Sequence, residues 1–201
     1  DRTSLKARMI QEARAAQTLA DFTHHVVRVF DVGFAAERGE PYLVMELLDG
    51  ETLSDRIARA PMPFDDVLRI AQTLAEALSQ AHRRGFVHRD LKPDNIMLCR
   101  RDGATDFVKI LDVGLAALAR DPRLAPKGAV FGTPEYMAPE QARGDVIDAR
   151  ADLYSLAVVL SEMLSGRPPF TGTSLETAVA HATRQPPALD DSLDLPPTLV
   201  E

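Results

Sequence analysis

One stretch limits what this chain can be more than any other: His88-Arg89-Asp90-Leu91-Lys92-Pro93-Asp94-Asn95, a crowd of charged and metal-capable side chains followed directly by the apolar run Ile96-Met97-Leu98. Charged groups are not buried without partners, so the stretch must be a loop, and a polar loop this dense just ahead of a strand marks a site. The flanking segments fit. From Pro63, suited to a first helical position, Val67, Ile70, Leu74, Leu78 and Ala81, with Leu68, Ala71 and Ala75, mark the apolar face of a long helix that ends at Gly85, expected as its C′ residue. After Asn95, the strands Ile96–Leu98 and Phe107–Leu111 flank a turn at Arg101-Asp102-Gly103-Ala104, and this small hairpin returns Asp112 to the loop.

Upstream, Leu5, Met9, Ile10, Ala13, Ala16 and Leu19 recur at helical spacing and predict an amphipathic helix over residues 4–20. The β-branched run from His24 to Val32, a turn at Glu37-Arg38-Gly39-Glu40-Pro41 and a strand Tyr42–Leu47 predict an antiparallel hairpin. Adjacent residues on a strand face opposite ways, so His24 and His25 are not read as a metal pair. Asp49-Gly50 should break the second strand, with a short helix from Leu53 to Arg59 and Pro61-Met62-Pro63 completing a connector.

Downstream, residues 115–130 show no sustained periodicity and carry Pro122, Pro126 and Gly128, which reads as a long functional loop. Phe131-Gly132-Thr133-Pro134-Glu135-Tyr136-Met137-Ala138-Pro139-Glu140 closes it. A helix from Arg150 to Ser165, apolar nearly all round and stopped by Gly166, should be central. Thr173 with Glu176 forms a capping-box pattern for a last helix to about Arg184, before an irregular tail with Pro186-Pro187 and Pro196-Pro197.

Phosphoryl transfer asks a protein for positioning and charge neutralisation. Asp90 can orient or deprotonate a substrate hydroxyl, Lys92 can set a positive charge against a γ-phosphate, and Asn95 and Asp112 offer hard oxygen ligands suited to Mg²⁺. Any one such residue in a loop is most often a turn former. The ordered set is much harder to obtain by chance.

His88 to Asn95 matches the catalytic loop H-R-D-L-x-x-x-N of protein kinases, Asp112-Val113-Gly114 stands as D-x-G, and Gly132 to Glu140 resembles the segment ending in A-P-E. On these motifs the chain resembles a bacterial (Hanks-type) serine/threonine protein kinase catalytic domain. The resemblance implies an α+β, protein-kinase-like fold, truncated at both ends. Residues 1–48 would be a remnant of the small β lobe, a helix C-like segment and two strands. Residues 49–201 would be the mainly helical large lobe, with catalytic and activation loops but without its last helices. It implies ATP and Mg²⁺ as cofactors and protein Ser/Thr hydroxyls as substrates.

By the same resemblance, Glu12 matches the partner of the ATP-anchoring lysine, Met45 the gatekeeper, Glu46 and Leu48 the adenine-facing hinge, and Met97 the floor of the adenine pocket. Thr133 matches the threonine that steadies the catalytic Asp and Lys, Asp152 the buried support of the loop, and His88 a packing residue. Arg89 resembles a receptor for a phosphorylated activation-loop residue. Yet residues 115–130 hold no Ser, Thr or Tyr, so Asp121 or another carboxylate is the expected partner.

The chain also departs from the pattern. No G-x-G-x-x-G and no V-A-I-K-like strand precede Glu12, and Lys6 shares a predicted helix with it. Val113 replaces the usual Phe, which should loosen packing near Ala16 and Val29. The expectation is an active kinase only with roughly 50 upstream residues restored; the alternative is a kinase-like scaffold without catalysis. A net charge of −7 with only four lysines argues against a nucleic-acid surface. A single cysteine, Cys99, fits a reducing compartment and a cytoplasmic setting, and the longest apolar stretch is too short for a membrane span.

Overall fold

The computed structural model describes residues 17–35, 41–101, 103–112, 133–190, 193 and 195–196. Of the predicted first helix, residues 17–20 are described and helical; Glu12, Ala16, Val113, Asp121 and the loop at 115–130 lie outside the described residues.

Strands β1 (Val29–Phe34) and β2 (Pro41–Met45) form the expected antiparallel hairpin, from Val29 opposite Met45 to Phe34 opposite Pro41, with an irregularity between Val29 and Asp31. The strand predicted over 24–32 is split. Its first half turns away from the hairpin: the Val27 N–H donates to Ile110 O at 2.9 Å and the Ile110 N–H to His25 O at 2.7 Å. β-Branched residues mark a segment for burial but do not say which strand it joins, and here Val26 and Val27 are buried against a different sheet.

That sheet has the order β3-β4-β5, all antiparallel: β3 (Gly50–Thr52), β4 (Ile96–Arg101) and β5 (Ala104–Ile110). Gly50, expected as a breaker, instead opens β3. A Cβ there would lie 2.2 Å from Leu98 O, so glycine is what lets the two backbones approach. Thr52 then caps α1 (Leu53–Ile57) reciprocally with Asp55.

Helix α2 (Phe64–His82) has Pro63 as its N-cap rather than its first residue. It stops at Arg83, and Gly85, two residues past that cap, takes a φ of +79°. Its buried stripe is narrower than the apolar pattern: Ile70, Leu74 and Leu78 are inside, while Leu68 and Ala75 are exposed. Helix α4 (Ala149–Ser165) is capped by Asp148 and ended by Gly166 at φ +77°. It is not buried all round as expected, because Leu153 is 52% exposed and Ala157 is also exposed. A one-sided helix suffices, since α4 packs mainly on α2, where the Met62 N–H also reaches Met163 O at 2.7 Å. Helices α3 (Pro139–Arg143) and α5 (Ser174–Thr183) and 3₁₀ turns at Pro93–Asn95 and Pro134–Tyr136 complete the elements among the described residues.

Leu74, Leu78, Ile96, Ile110, Val159 and Met163 share one core, and each such side chain stabilises the fold by about 1.5–3 kcal/mol. Leu91 belongs to it, fully buried. One leucine in the middle of the polar loop thus pins that loop to the core. Among the described residues, no helix is long and apolar enough to cross a membrane.

Candidate active site

The start of the loop hangs on one carboxylate. Asp152, in the first turn of α4, is fully buried; its Oδ2 accepts from the His88 N–H at 2.8 Å and its Oδ1 from the Arg89 N–H at 2.8 Å. His82, the last residue of α2, donates Nε2–H to Oδ2 at 2.7 Å. Three donors on one group explain how an ionisable side chain stays in the core. They also hold Arg89 at φ +67°, a conformation that costs a non-glycine residue about 1 kcal/mol.

His88, 1% exposed, joins the loop to the end of β5. Its Nε2–H donates to Leu111 O at 2.9 Å, and Nδ1 accepts from the Asp90 N–H at 3.3 Å. The Leu111 N–H donates to Asn95 O at 2.8 Å. Leu111 is therefore held on both its amide and its carbonyl, and Asp112 follows it with φ +53° and an exposed side chain.

The candidate side chains then converge. Asn95, 7% exposed, donates from Nδ2 to Asp90 O at 2.9 Å and, more weakly, to Asp90 Oδ2 at 3.5 Å. Lys92 Nζ lies 3.8 Å from Asp90 Oδ2 and donates to Thr133 Oγ1 at 2.8 Å. With the amide nitrogen of Asn95 spent on Asp90, its Oδ1 is left as a neutral oxygen donor, and Asp112, the residue after Leu111, offers a carboxylate. That pair fits a hard divalent cation.

Thr133 caps the 3₁₀ turn Pro134–Tyr136, and α4 holds that turn twice. Ser155 Oγ donates to Tyr136 O at 2.7 Å, and Tyr136 Oη donates to Glu162 Oε2 at 2.6 Å. Burial pushes both the Tyr136 hydroxyl and the Glu162 carboxyl above their ordinary pKa values, and the nearby Asp94 and Glu135 carboxylates push the same way. Gln141 of α3 closes the assembly, donating Nε2–H to Arg89 O at 2.9 Å and accepting from the Ala138 N–H at 2.9 Å.

The expected adenine-side residues occupy β2, its exit and β4. Met45 is 39% exposed opposite Val29, Leu48 is half-buried, and Met97 sits on β4 between Thr52 and Lys109. The Glu46 side chain is committed elsewhere: Oε1 accepts from the Arg28 N–H at 2.8 Å and from Lys109 Nζ. Burial opposes the charge on Glu46, but Lys109 and the Arg28 amide outweigh it and hold the carboxyl below its usual range. Glu46 and Leu48 line a cavity of about 530 Å³ with His24, Arg28, Phe107 and Lys109. Met45 and Met97 are not among its walls. His25 stacks on Phe107, ring centroids 4.8 Å apart.

The family described as "Protein kinase domain" matches residues 1–197. The chain belongs to the protein kinase family. It is 45% identical over 186 residues to the serine/threonine-protein kinase Pkn1 of Myxococcus xanthus, covering 91% of this chain and 26% of that protein. It is 43% identical over 179 residues to PknB of Mycobacterium leprae, covering 86% of this chain and 28% of that protein. Among solved structures, a double mutant of the Mycobacterium tuberculosis PknI kinase domain superposes with a TM-score of 0.69 at 28% identity, over 92% of this chain and 64% of that one. The chain thus spans about a quarter of the length of those two curated relatives.

In this kinase domain Asp90, Lys92, Asn95 and Thr133 form one contiguous cluster, with Asp112 delivered to its edge. Glu12 lies outside the described residues. Several supporting residues carry no motif in the sequence: His82, Lys109, Gln141 and Ser155. Lys109 alone left a usable signal, a lysine inside the apolar strand Phe107-Val108-Lys109-Ile110, which had to find a partner.

Proposed function

We propose that this chain carries the phosphotransfer centre of an ATP-dependent protein kinase acting on Ser and Thr hydroxyls. The observation that carries the reading is the cluster of Asp90, Asn95, Lys92 and Thr133, joined by hydrogen bonds and by the 3.8 Å Lys92–Asp90 ion pair, with Leu111, the residue before Asp112, bonded to His88 and Asn95. The names of the relatives, serine/threonine-protein kinases, support it.

On this reading Asp90 orients the attacking hydroxyl and accepts its proton, while Asn95 restrains the Asp90 carboxylate. Lys92, steadied by Thr133, sets its ammonium against the transferred phosphoryl group. Asn95 Oδ1 and Asp112 would hold Mg²⁺, which supplies charge neutralisation on the triphosphate. Met45, Leu48 and Met97 would contact adenine and Glu46 would shape the hinge from behind, with Glu12 holding the ATP-anchoring lysine. Residues 1–48 would belong to the small lobe and 49–201 to the large one.

The test is phosphotransfer by the full-length protein that carries these residues, with ATP, Mg²⁺ and a generic protein acceptor, followed by phosphoamino-acid analysis. Phosphoserine or phosphothreonine that disappears in Asp112→Asn is expected. Transfer that persists undiminished in that variant would overturn the reading.

A further inference from the structure

His181, in the last turn of α5, is 2% exposed and lies outside the cluster of Asp90, Lys92, Asn95 and Thr133. Its Nε2 lies 2.9 Å from Glu135 O and its Nδ1 2.8 Å from Tyr154 Oη. A carbonyl only accepts, so Nε2 carries the proton, and Nδ1 must accept from the Tyr154 hydroxyl. One imidazole in one tautomer therefore ties α5 to α4 and to the 3₁₀ turn Pro134–Tyr136. The ring plane is fixed as well, edge-on to Phe170 at 4.9 Å and to Tyr154 at 5.6 Å. Burial holds the His181 pKa below its ordinary value despite the Glu135 carbonyl, which preserves the Nδ1 lone pair at neutral pH.

The turn that His181 grips has little rigidity of its own, because a single 3₁₀ turn has few and poorly aligned hydrogen bonds. Its setting depends on what holds its carbonyls. Ser155 takes that of Tyr136 from α4, and His181 takes the preceding one from α5. The same turn begins at Thr133, the partner of Lys92. We infer that His181 is a positioning residue for the protein substrate: through Glu135 it sets the turn after Thr133, part of the stretch Gly132–Glu140 that resembles a protein-substrate platform. The inference rests on the kinase reading proposed above.

Two substitutions separate positioning from bulk. His181→Phe keeps a ring edge-packed on Phe170 and removes both hydrogen bonds; His181→Gln keeps a donor for Glu135 O. In the full-length protein, His181→Phe is expected to raise KM for a peptide acceptor about tenfold, the scale of one buried hydrogen bond, and to leave KM for ATP within about twofold. His181→Gln should recover most of the loss. Amide exchange at 135–137, read by mass spectrometry, should accelerate in His181→Phe and not in His181→Gln. Equal shifts in the two KM values, or no shift in either, would overturn the inference. Absence of phosphotransfer by the unsubstituted protein would refute the kinase reading instead. The exchange rates would then still decide whether His181 holds the turn, and unchanged rates at 135–137 in His181→Phe would overturn that.

Discussion

Lys92 Nζ donates to Thr133 Oγ1 at 2.8 Å across 41 residues of chain, and it does so while standing 3.8 Å from Asp90 Oδ2. The threonine hydroxyl holds the ammonium beside the carboxylate without neutralising either. Thr133→Ser keeps that hydroxyl and should leave kcat near its original value, whereas Thr133→Ala should lower kcat about tenfold. Lys92→Met should lower it by a factor on the order of 100 or more, as for loss of one aligned electrostatic contact in a transition state. Steady-state kinetics of the full-length protein would show the order Thr133→Ser, Thr133→Ala, Lys92→Met.

Asp152 accepts two backbone N–H groups and one imidazole from a fully buried position. Asp152→Ala strands all three donors, and the expected loss of stability is about 3–5 kcal/mol. Urea unfolding of the 201-residue chain checks this. A midpoint unchanged by the substitution would show that the loop is held by something other than this carboxylate.

The loop was legible because its chemistry is local: residues 88–95 are consecutive, and the hairpin that brings Asp112 back is written in the next seventeen positions. The fold was legible where one apolar face met one partner, as in α2 and the Thr173–Glu176 cap. It was less so where one run served two. The stretch from His25 to Phe34 divides between Ile110 and β2, and strand propensity does not record such a choice. Leu153 shows the same limit from the other side: hydrophobicity qualified it for the core, but α4 needed only one face there. His82, Gln141 and Ser155 left no trace, because a residue that bonds a distant backbone carbonyl or carboxylate is chosen by tertiary distance and not by its neighbours in sequence.

Lys109 and Glu46 form a largely buried pair, 10% and 26% exposed in their side chains, behind the exit of β2. Removing one member leaves the other charged and poorly solvated. Lys109→Met should therefore destabilise the chain by about 2 kcal/mol, and adding Glu46→Gln should cost much less than the sum of the single changes. A double-mutant cycle by chemical denaturation measures the coupling, expected at about 1–2 kcal/mol.

Glu51 accepts from Arg59 and Arg56, and these hydrogen bonds lower its pKa from 4.5 to about 2. The unfolded chain therefore binds this proton more readily than the folded one. The contribution is present in full above pH 4.5 and fades as pH falls towards 2. Stability curves of the unsubstituted chain and Glu51→Gln should be separated at pH 6 and converge across that window. A gap that stays constant down to pH 2 would show that the pair does not titrate in this way.

The central claim is that Asp90, fixed by Asn95 and placed beside Lys92, handles the acceptor hydroxyl. The direct measurement is the rate of phosphotransfer from ATP to a serine- or threonine-containing protein by the full-length protein and its Asp90→Asn variant, with ATP binding measured on both. The expected result is a fall in kcat of about 10²–10⁴-fold, the usual scale for a lost general base, with ATP affinity unchanged within about twofold. A variant that transfers phosphate as fast as the parent would contradict the account.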